Sequence, residues 1–259
     1  MPRPMRVFVF ASQKGGSGKT TLAGHVAVQA ELANAGPVAV IDTDPQGSLE
    51  KWFEARHADR PVYIKAEISQ LGGVINRARE NGYRLLVIDT PPAITRSISE
   101  VVSHADMVVV PTRPSPHDLR AVGPTVDIAE WHKKQLVFVV NAASARARIT
   151  SDAAVALSQH GTVAPVTLHH RVDYAASMID GRTVMEVNRE GKSAKEVREL
   201  WTYLADRIAR MDYADADLNE SSPLSALEPP AVRPALTSGG SNINALGQKV
   251  PAFGRRAGQ

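Results

Sequence analysis

The sequence predicts an α/β fold with a mainly parallel sheet and helices on both faces. Two observations carry this. Short apolar runs recur along the chain, separated by stretches with helical spacing, as βαβ crossovers require. The first of these runs opens into a glycine-rich turn that leads straight into a helix. With 259 residues, 43% hydrophobic and 22% charged, the chain is long enough for one large domain with a substantial core.

Arg6 to Ser12 is apolar and rich in Val and Phe, and reads as a buried strand and not as a signal peptide. Lys19 to Ala33 has helical spacing and is stopped by Gly36 and Pro37. Val38 to Asp42 (VAVID) is a second strand, and Ile68 to Asn81 a helix closed by Gly82. Further strands are expected at Arg84 to Asp89, Asp106 to Pro111, Gln135 to Asn141 and Val163 to Leu168. Helices are expected at Ser115 to Trp131 and Thr150 to His160.

Composition shifts near Met211. Residues 1–211 read as the folded domain, and residues 212–259, rich in Pro, Ser, Ala, Gly and Asn, as a disordered tail. The tail ends in a small basic cluster, Lys249, Arg255 and Arg256, which is either a solvated terminus or an interaction arm. The chain has no cysteine, which excludes disulfides, thiolate metal sites and cysteine nucleophiles and suits a cytoplasmic protein. No run approaches the length of a membrane-spanning helix. The formal charge of +3 is a weak sign of an anionic partner.

The segment Lys14-Gly15-Gly16-Ser17-Gly18-Lys19-Thr20-Thr21 has the chemistry of a phosphate loop. The glycines let backbone N–H groups converge on anionic oxygens, and the following helix adds its dipole. Lys19 supplies charge for the β and γ phosphates of ATP, and Thr20 a hydroxyl for Mg²⁺. The strict phosphate-loop pattern asks for glycine where this chain has Gln13. A second lysine, Lys14, is too close to Lys19 to share its phosphates without repulsion. It can reach a nucleotide held by a second subunit, which predicts an ATP-sandwich dimer. Asp89 ends an apolar strand beside the loop and can hold Mg²⁺ through water. Asp42 and Asp44 follow another strand, where one carboxylate can orient an attacking water and the other sit near the metal. Asn141, at a third strand end, can pair with the adenine edge or simply form a turn.

These residues resemble the ParA/MinD family of partition and positioning ATPases. The matching segments are QKGGSGKTT (Gln13 to Thr21), VIDTDPQGS (Val40 to Ser48), LLVIDTPP (Leu85 to Pro92) and VVVPTRPSPHDLRAV (Val108 to Val122), with a later match over Arg171 to Leu200. DTDPQ is closer to ParA than to MinD. The early first strand resembles the short, Soj-like kind, without an N-terminal DNA-binding extension. The resemblance implies a P-loop NTPase fold. It implies Lys14 as the lysine reaching across the dimer, Lys19 on phosphate, Thr20 on Mg²⁺, Asp44 on the hydrolytic water and near the metal, and Asp89 as an outer acid for the metal. It further implies slow ATP hydrolysis, an ATP-dependent homodimer bound to nonspecific DNA on the nucleoid, and a cargo-bound stimulator of ParB type. Candidate DNA contacts are Arg171, Arg182, Arg189, Lys192, Lys195 and Arg198. Lys192, Lys195 and Arg198 have helical spacing, and Glu196 and Glu199 dilute their charge.

The alternative is a MinD-like, membrane-associated regulator of division-site or pole placement. Such proteins end in an amphipathic helix, whereas GQKVPAFGRRAGQ, with one proline and three glycines, makes a poor one. Cluster-carrying relatives need cysteines. A kinase or synthetase on the same loop needs an acceptor pocket that the sequence does not reveal.

Overall fold

The computed structural model describes residues 4–92 and 96–220. The chain divides into a unit ending at Ala216 and a second beginning at Asp217. The basic cluster Lys249, Arg255 and Arg256 lies outside the described residues, as does most of the expected tail.

In chain order the elements are β1 (Arg6–Phe10), α1 (Lys19–Leu32), β2 (Val38–Asp42), α2 (Ser48–Glu54), β3 (Val62–Tyr63), α3 (Leu71–Glu80) and β4 (Leu85–Asp89). Then follow α4 (Arg96–Ser103), β5 (Met107–Thr112), α5 (Pro116–Arg120), α6 (Gly123–Trp131), β6 (Gln135–Ala143), α7 (Arg148–Ser158) and β7 (Thr162–His169). Three helices close the described chain: α8 (Val172–Met178), α9 (Val184–Val187) and α10 (Lys192–Glu220). A single turn of 3₁₀ helix, Ile68–Gln70, precedes α3.

The seven strands form one sheet in the order β3-β2-β4-β1-β5-β6-β7. Every described pairing is parallel, so the sheet is parallel throughout where it was expected to be mainly so. The cause is the unbroken alternation of strands and helical crossovers, which leaves no hairpin. On β1, Phe8 and Phe10 enter one core with α1, α2, α9 and α10. Val7 and Val9 enter a second core with α3, α4 and α6. All four side chains are fully buried, each contributing roughly 1.5–3 kcal/mol of transfer free energy.

α1 lies deep under the sheet, and every residue from Leu22 to Ala30 is buried. Its alanines and Gly24 make this possible: a Cβ on Gly24 would already be 3.4 Å from Met178 and 3.5 Å from Trp52.

Two expected elements change at their ends. The helix expected over Ser115 to Trp131 is broken into α5 and α6, because Pro124 has no N–H to continue the α5 ladder. The last helix does not stop at Met211 but runs to Glu220, so residues 212–220 are helical and the expected tail begins too early. Composition hides the cause, an ion cluster made over a long sequence separation. The Arg6 guanidinium donates to Asp212 at 2.6 and 2.8 Å and to Asp215 at 2.6 Å, with Asp106 at 3.7 Å.

Candidate nucleotide site

Registers level the strand ends that build the site. Phe10 and Asp42 both lie opposite Asp89, so the loops after β1, β2 and β4 leave the sheet side by side. Side chains tie them together: Thr43 Oγ1 donates to Asp89 O at 2.7 Å, and Thr90 Oγ1 to Phe10 O at 2.8 Å. The crevice thus sits at the carboxyl ends of the parallel strands, where such sheets receive ligands.

The loop from Lys14 to Gly18 turns through two left-handed positions, Gly16 (φ 71°) and Gly18 (φ 98°). Gly18 is the N-cap of α1 and no side chain caps that end, so the first amides of α1 remain free for an anion. Lys19 is buried and has no ion-pair partner among the described residues. Burial lowers its pKa, against the attraction of Asp89 and Asp44. Ser17 Oγ is buried with no hydrogen-bond partner among the described residues. A buried ammonium without an anion, an unpartnered hydroxyl and uncapped amides together fit a polyphosphate.

Thr20 Oγ1 donates to Asp89 Oδ2, and the Thr90 amide donates to Oδ1. Asp89 is fully buried, and burial raises its pKa to about 7 despite the Thr20 hydrogen bond. A carboxylate so far desolvated, beside a hydroxyl, fits a divalent cation that would restore its charge.

The two aspartates after β2 divide their roles. Asp42 accepts from the amides of Asp44 (2.9 Å), Leu49 (2.8 Å) and Glu50 (3.2 Å), and so caps α2. Its pKa is raised by burial, with those amides opposing. Asp44 is half-buried and accepts only from Gln46 N, at 2.9 Å, which leaves it the free carboxylate of the pair. Lys14, Gly15 and Gly16 are exposed on the rim, as a reach toward a second subunit requires.

Asn141 lies at the crevice but is turned to the loop. Its amide donates to Ser17 O at 2.7 Å, and a Cβ on Gly18 would meet that nitrogen at 2.3 Å. Here Asn141 braces the phosphate loop.

The cleft over the loop encloses about 380 Å³. Its walls include residues that the sequence reading missed: Arg113 after β5, His169 at the end of β7, and His170 and Tyr174 after it. Their signal was positional, since each lies at or just after the carboxyl end of a strand.

The basic candidates are dispersed. Arg171 pairs with Glu196 at 2.6 Å, and Arg182 with Asp180 at 2.6 Å. Lys195 lies 3.8 Å from Glu199, and Arg198, half-buried, donates to Arg189 O. Arg171, Lys192 and Lys195 share one shallow depression of about 350 Å³ with Glu196 and Glu199, and Arg182 lines another.

The family of the CobQ/CobB/MinD/ParA nucleotide binding domain matches residues 8–250. The chain belongs to this family. Its members share a nucleotide-binding domain, and those of ParA/MinD type are ATPases involved in positioning. "Maintenance of carboxysome distribution protein A" of Halothiobacillus neapolitanus is 26% identical over 72% of this chain and 89% of its own. The protein of that name from Gloeobacter kilaueensis is 40% identical over 47% of this chain and 55% of its own. "Chromosome-partitioning ATPase Soj" of Thermus thermophilus is 29% identical over 46% of this chain and 59% of its own. Among solved structures, an ATP complex of a Cyanothece McdA variant superposes with a TM-score of 0.66 at 16% identity, covering 78% of this chain and 97% of the other. MinD from Pyrococcus furiosus gives 0.65 at 15% identity, covering 78% and 98%. These last two likenesses are of fold.

Proposed function

We propose that this chain is an ATPase that dimerises around ATP, binds DNA without sequence preference in that form, and positions a plasmid, chromosome or protein cargo until a cargo-bound partner stimulates hydrolysis. One observation carries the reading: a single crevice gathers a buried, anion-free Lys19, the Thr20–Asp89 pair, the free carboxylate Asp44 and an exposed second lysine, Lys14.

Each residue has a part. The amides of Gly15 to Thr21 and the Lys19 ammonium hold the phosphates, and Asn141 keeps the loop in its curled form through Ser17 O. Thr20, with Asp89 and Asp44 alongside, would hold Mg²⁺, which would supply positive charge beside the phosphates. Asp44, with three of its four lone-pair directions unspent on protein, accepts a proton of the attacking water and orients it in line. Lys14 reaches the phosphates of the partner subunit's nucleotide, so hydrolysis waits on the dimer.

The names of the relatives, carboxysome distribution and chromosome partitioning, support positioning as the task. The depression with Arg171, Lys192 and Lys195 supports an anionic surface as the track. No described helix is long and apolar enough to cross a membrane. With DNA as the track, the nucleoid in the cytoplasm is the place of work in this reading.

Asp44→Ala tests the reading. It should bind ATP as wild type does, accumulate as an ATP-bound dimer by light scattering and lose turnover. Turnover within about threefold of wild type, roughly 0.6 kcal/mol of barrier, would reject the assignment of Asp44.

A further inference from the structure

Glu196 joins two surfaces that the function above uses separately. It is buried on the second turn of α10, beside the exposed lysines Lys192 and Lys195, with which it lines one depression. Its carboxylate accepts from His169 N (3.0 Å), His169 Nδ1 (2.9 Å), Arg171 Nη2 (2.6 Å) and Tyr174 Oη (3.1 Å). Those three partners line the nucleotide cleft. His169 and Arg171 also line the basic depression beside Lys192 and Lys195, so both belong to two clefts at once.

The connection continues inward. The Tyr174 ring meets His25 edge-on, with centroids 5.3 Å apart. His25 Nδ1 lies 2.7 Å from Thr21 O, in the first turn of the helix that begins at the phosphate loop. A chain of direct contacts thus runs from the basic face of α10, through Glu196, Tyr174 and His25, to the backbone under the phosphates.

Arg171 is the member of the network through which a docked anion can act, since it lines both clefts. Its guanidinium makes one ion pair, with Glu196, and its Nε is buried without a partner. An anionic backbone docked at Lys192 and Lys195 competes with Glu196 for this group, because phosphate takes the same fork of donors as carboxylate. Drawing Arg171 away removes a strong donor from Glu196 and frees that carboxylate to shift against His169 and Tyr174.

We infer that Glu196 is a positioning residue that couples occupancy of the basic α10 face by a nucleic-acid backbone to occupancy of the nucleotide cleft. The inference rests on the reading of those two surfaces given above. Coupling of this kind is reciprocal and typically amounts to about 5-fold to 150-fold in affinity.

The test is a coupling ratio. A fluorescent ATP analogue with Mg²⁺ is titrated into the full chain with and without a saturating duplex of arbitrary sequence, and the two Kd values are divided. The wild type should give a ratio of at least about fivefold. Glu196→Gln should bring the ratio to within about twofold of one. Tyr174→Phe, which keeps the ring against His25 and removes only the phenol, should lower it as well. Asp206→Asn, exposed on the same helix but outside both clefts and the network, should keep the wild-type ratio. Light scattering with ATP should give the same mass for Glu196→Gln as for wild type. An unchanged ratio in Glu196→Gln and Tyr174→Phe overturns the inference. So does an equal loss in Asp206→Asn, or a loss of the ratio together with the dimer, which would assign the effect to assembly. Failure of the wild type to bind duplex at all refutes the basic-face reading and the coupling with it, and shows at the binding step instead of in the ratio.

Discussion

His25 should make the folded chain sensitive to acid. Its Nδ1 lies 2.7 Å from Thr21 O, and its Nε2 accepts the Val184 amide at 3.3 Å. A neutral ring with its proton on Nδ1 satisfies both contacts. A second proton would sit on Nε2, facing an N–H donor in a site closed to solvent. Burial therefore lowers the pKa from 6.5 to about 4, with the Thr21 carbonyl opposing. The sign follows from proton counting. Between pH 6.5 and about 4 the unfolded chain binds a proton that the folded chain refuses, so stability falls as pH falls. The slope is about 1.4 kcal/mol per pH unit, and the whole window is worth on the order of 3 kcal/mol. Above pH 6.5 both states are neutral and His25 contributes no slope. Other groups titrate in the same range, so the quantity to measure is a difference. Urea unfolding of wild type and of His25→Gln, whose amide does not titrate, should be followed by circular dichroism from about pH 7 to about pH 4. The stability of wild type minus that of the variant should fall by about 3 kcal/mol toward acid. A difference that stays level across the window would refute the argument that the ring is held neutral.

Other predictions follow from single contacts. Gly18→Ala should abolish tight nucleotide binding by isothermal titration, because the new Cβ meets Asn141 Nδ2 at 2.3 Å and its left-handed backbone costs an alanine roughly 1–2 kcal/mol. Arg6→Met should leave Asp106, Asp212 and Asp215 unpaired and cost on the order of 3 kcal/mol, with faster amide exchange along residues 208–215 of α10; unchanged protection there would dismiss the ion cluster as the cause of the helix's length. Gly16→Val, at an exposed position with φ 71°, should give ATP-bound monomers by light scattering, and a normal ATP-dependent dimer would count against the sandwich.

Much of the sheet was legible in the sequence. β1, β2 and β4 are buried on both faces and so read as unbroken apolar runs bounded by turn residues. The phosphate loop was legible because its chemistry is local: three glycines, two lysines and a helix start. What lay hidden depends on partners far along the chain. α2 was missed since its start is fixed by the Asp42 carboxylate, which caps it from a strand end. β3 has only two residues, too short for any period. The last turns of α10 are set by Arg6, over a separation of 206 residues to Asp212. For the same reason Asp42 and Asp44 could not be told apart from their spacing. The walls of the cleft, Arg113 on one side and His169 and Tyr174 on the other, come from two distant stretches and are assembled only by the order of the strands.

The central claim is that ATP, held in this crevice, turns the chain into a DNA-binding dimer. Fluorescence anisotropy of a labelled duplex of arbitrary sequence, titrated with Asp44→Ala in Mg·ATP and in Mg·ADP over a range of salt, tests it most directly. Tight binding is expected in ATP alone, equal for unrelated sequences, with a log–log salt slope of about −0.9 for each phosphate neutralised. Equal binding in ATP and ADP, or none in either, would contradict it.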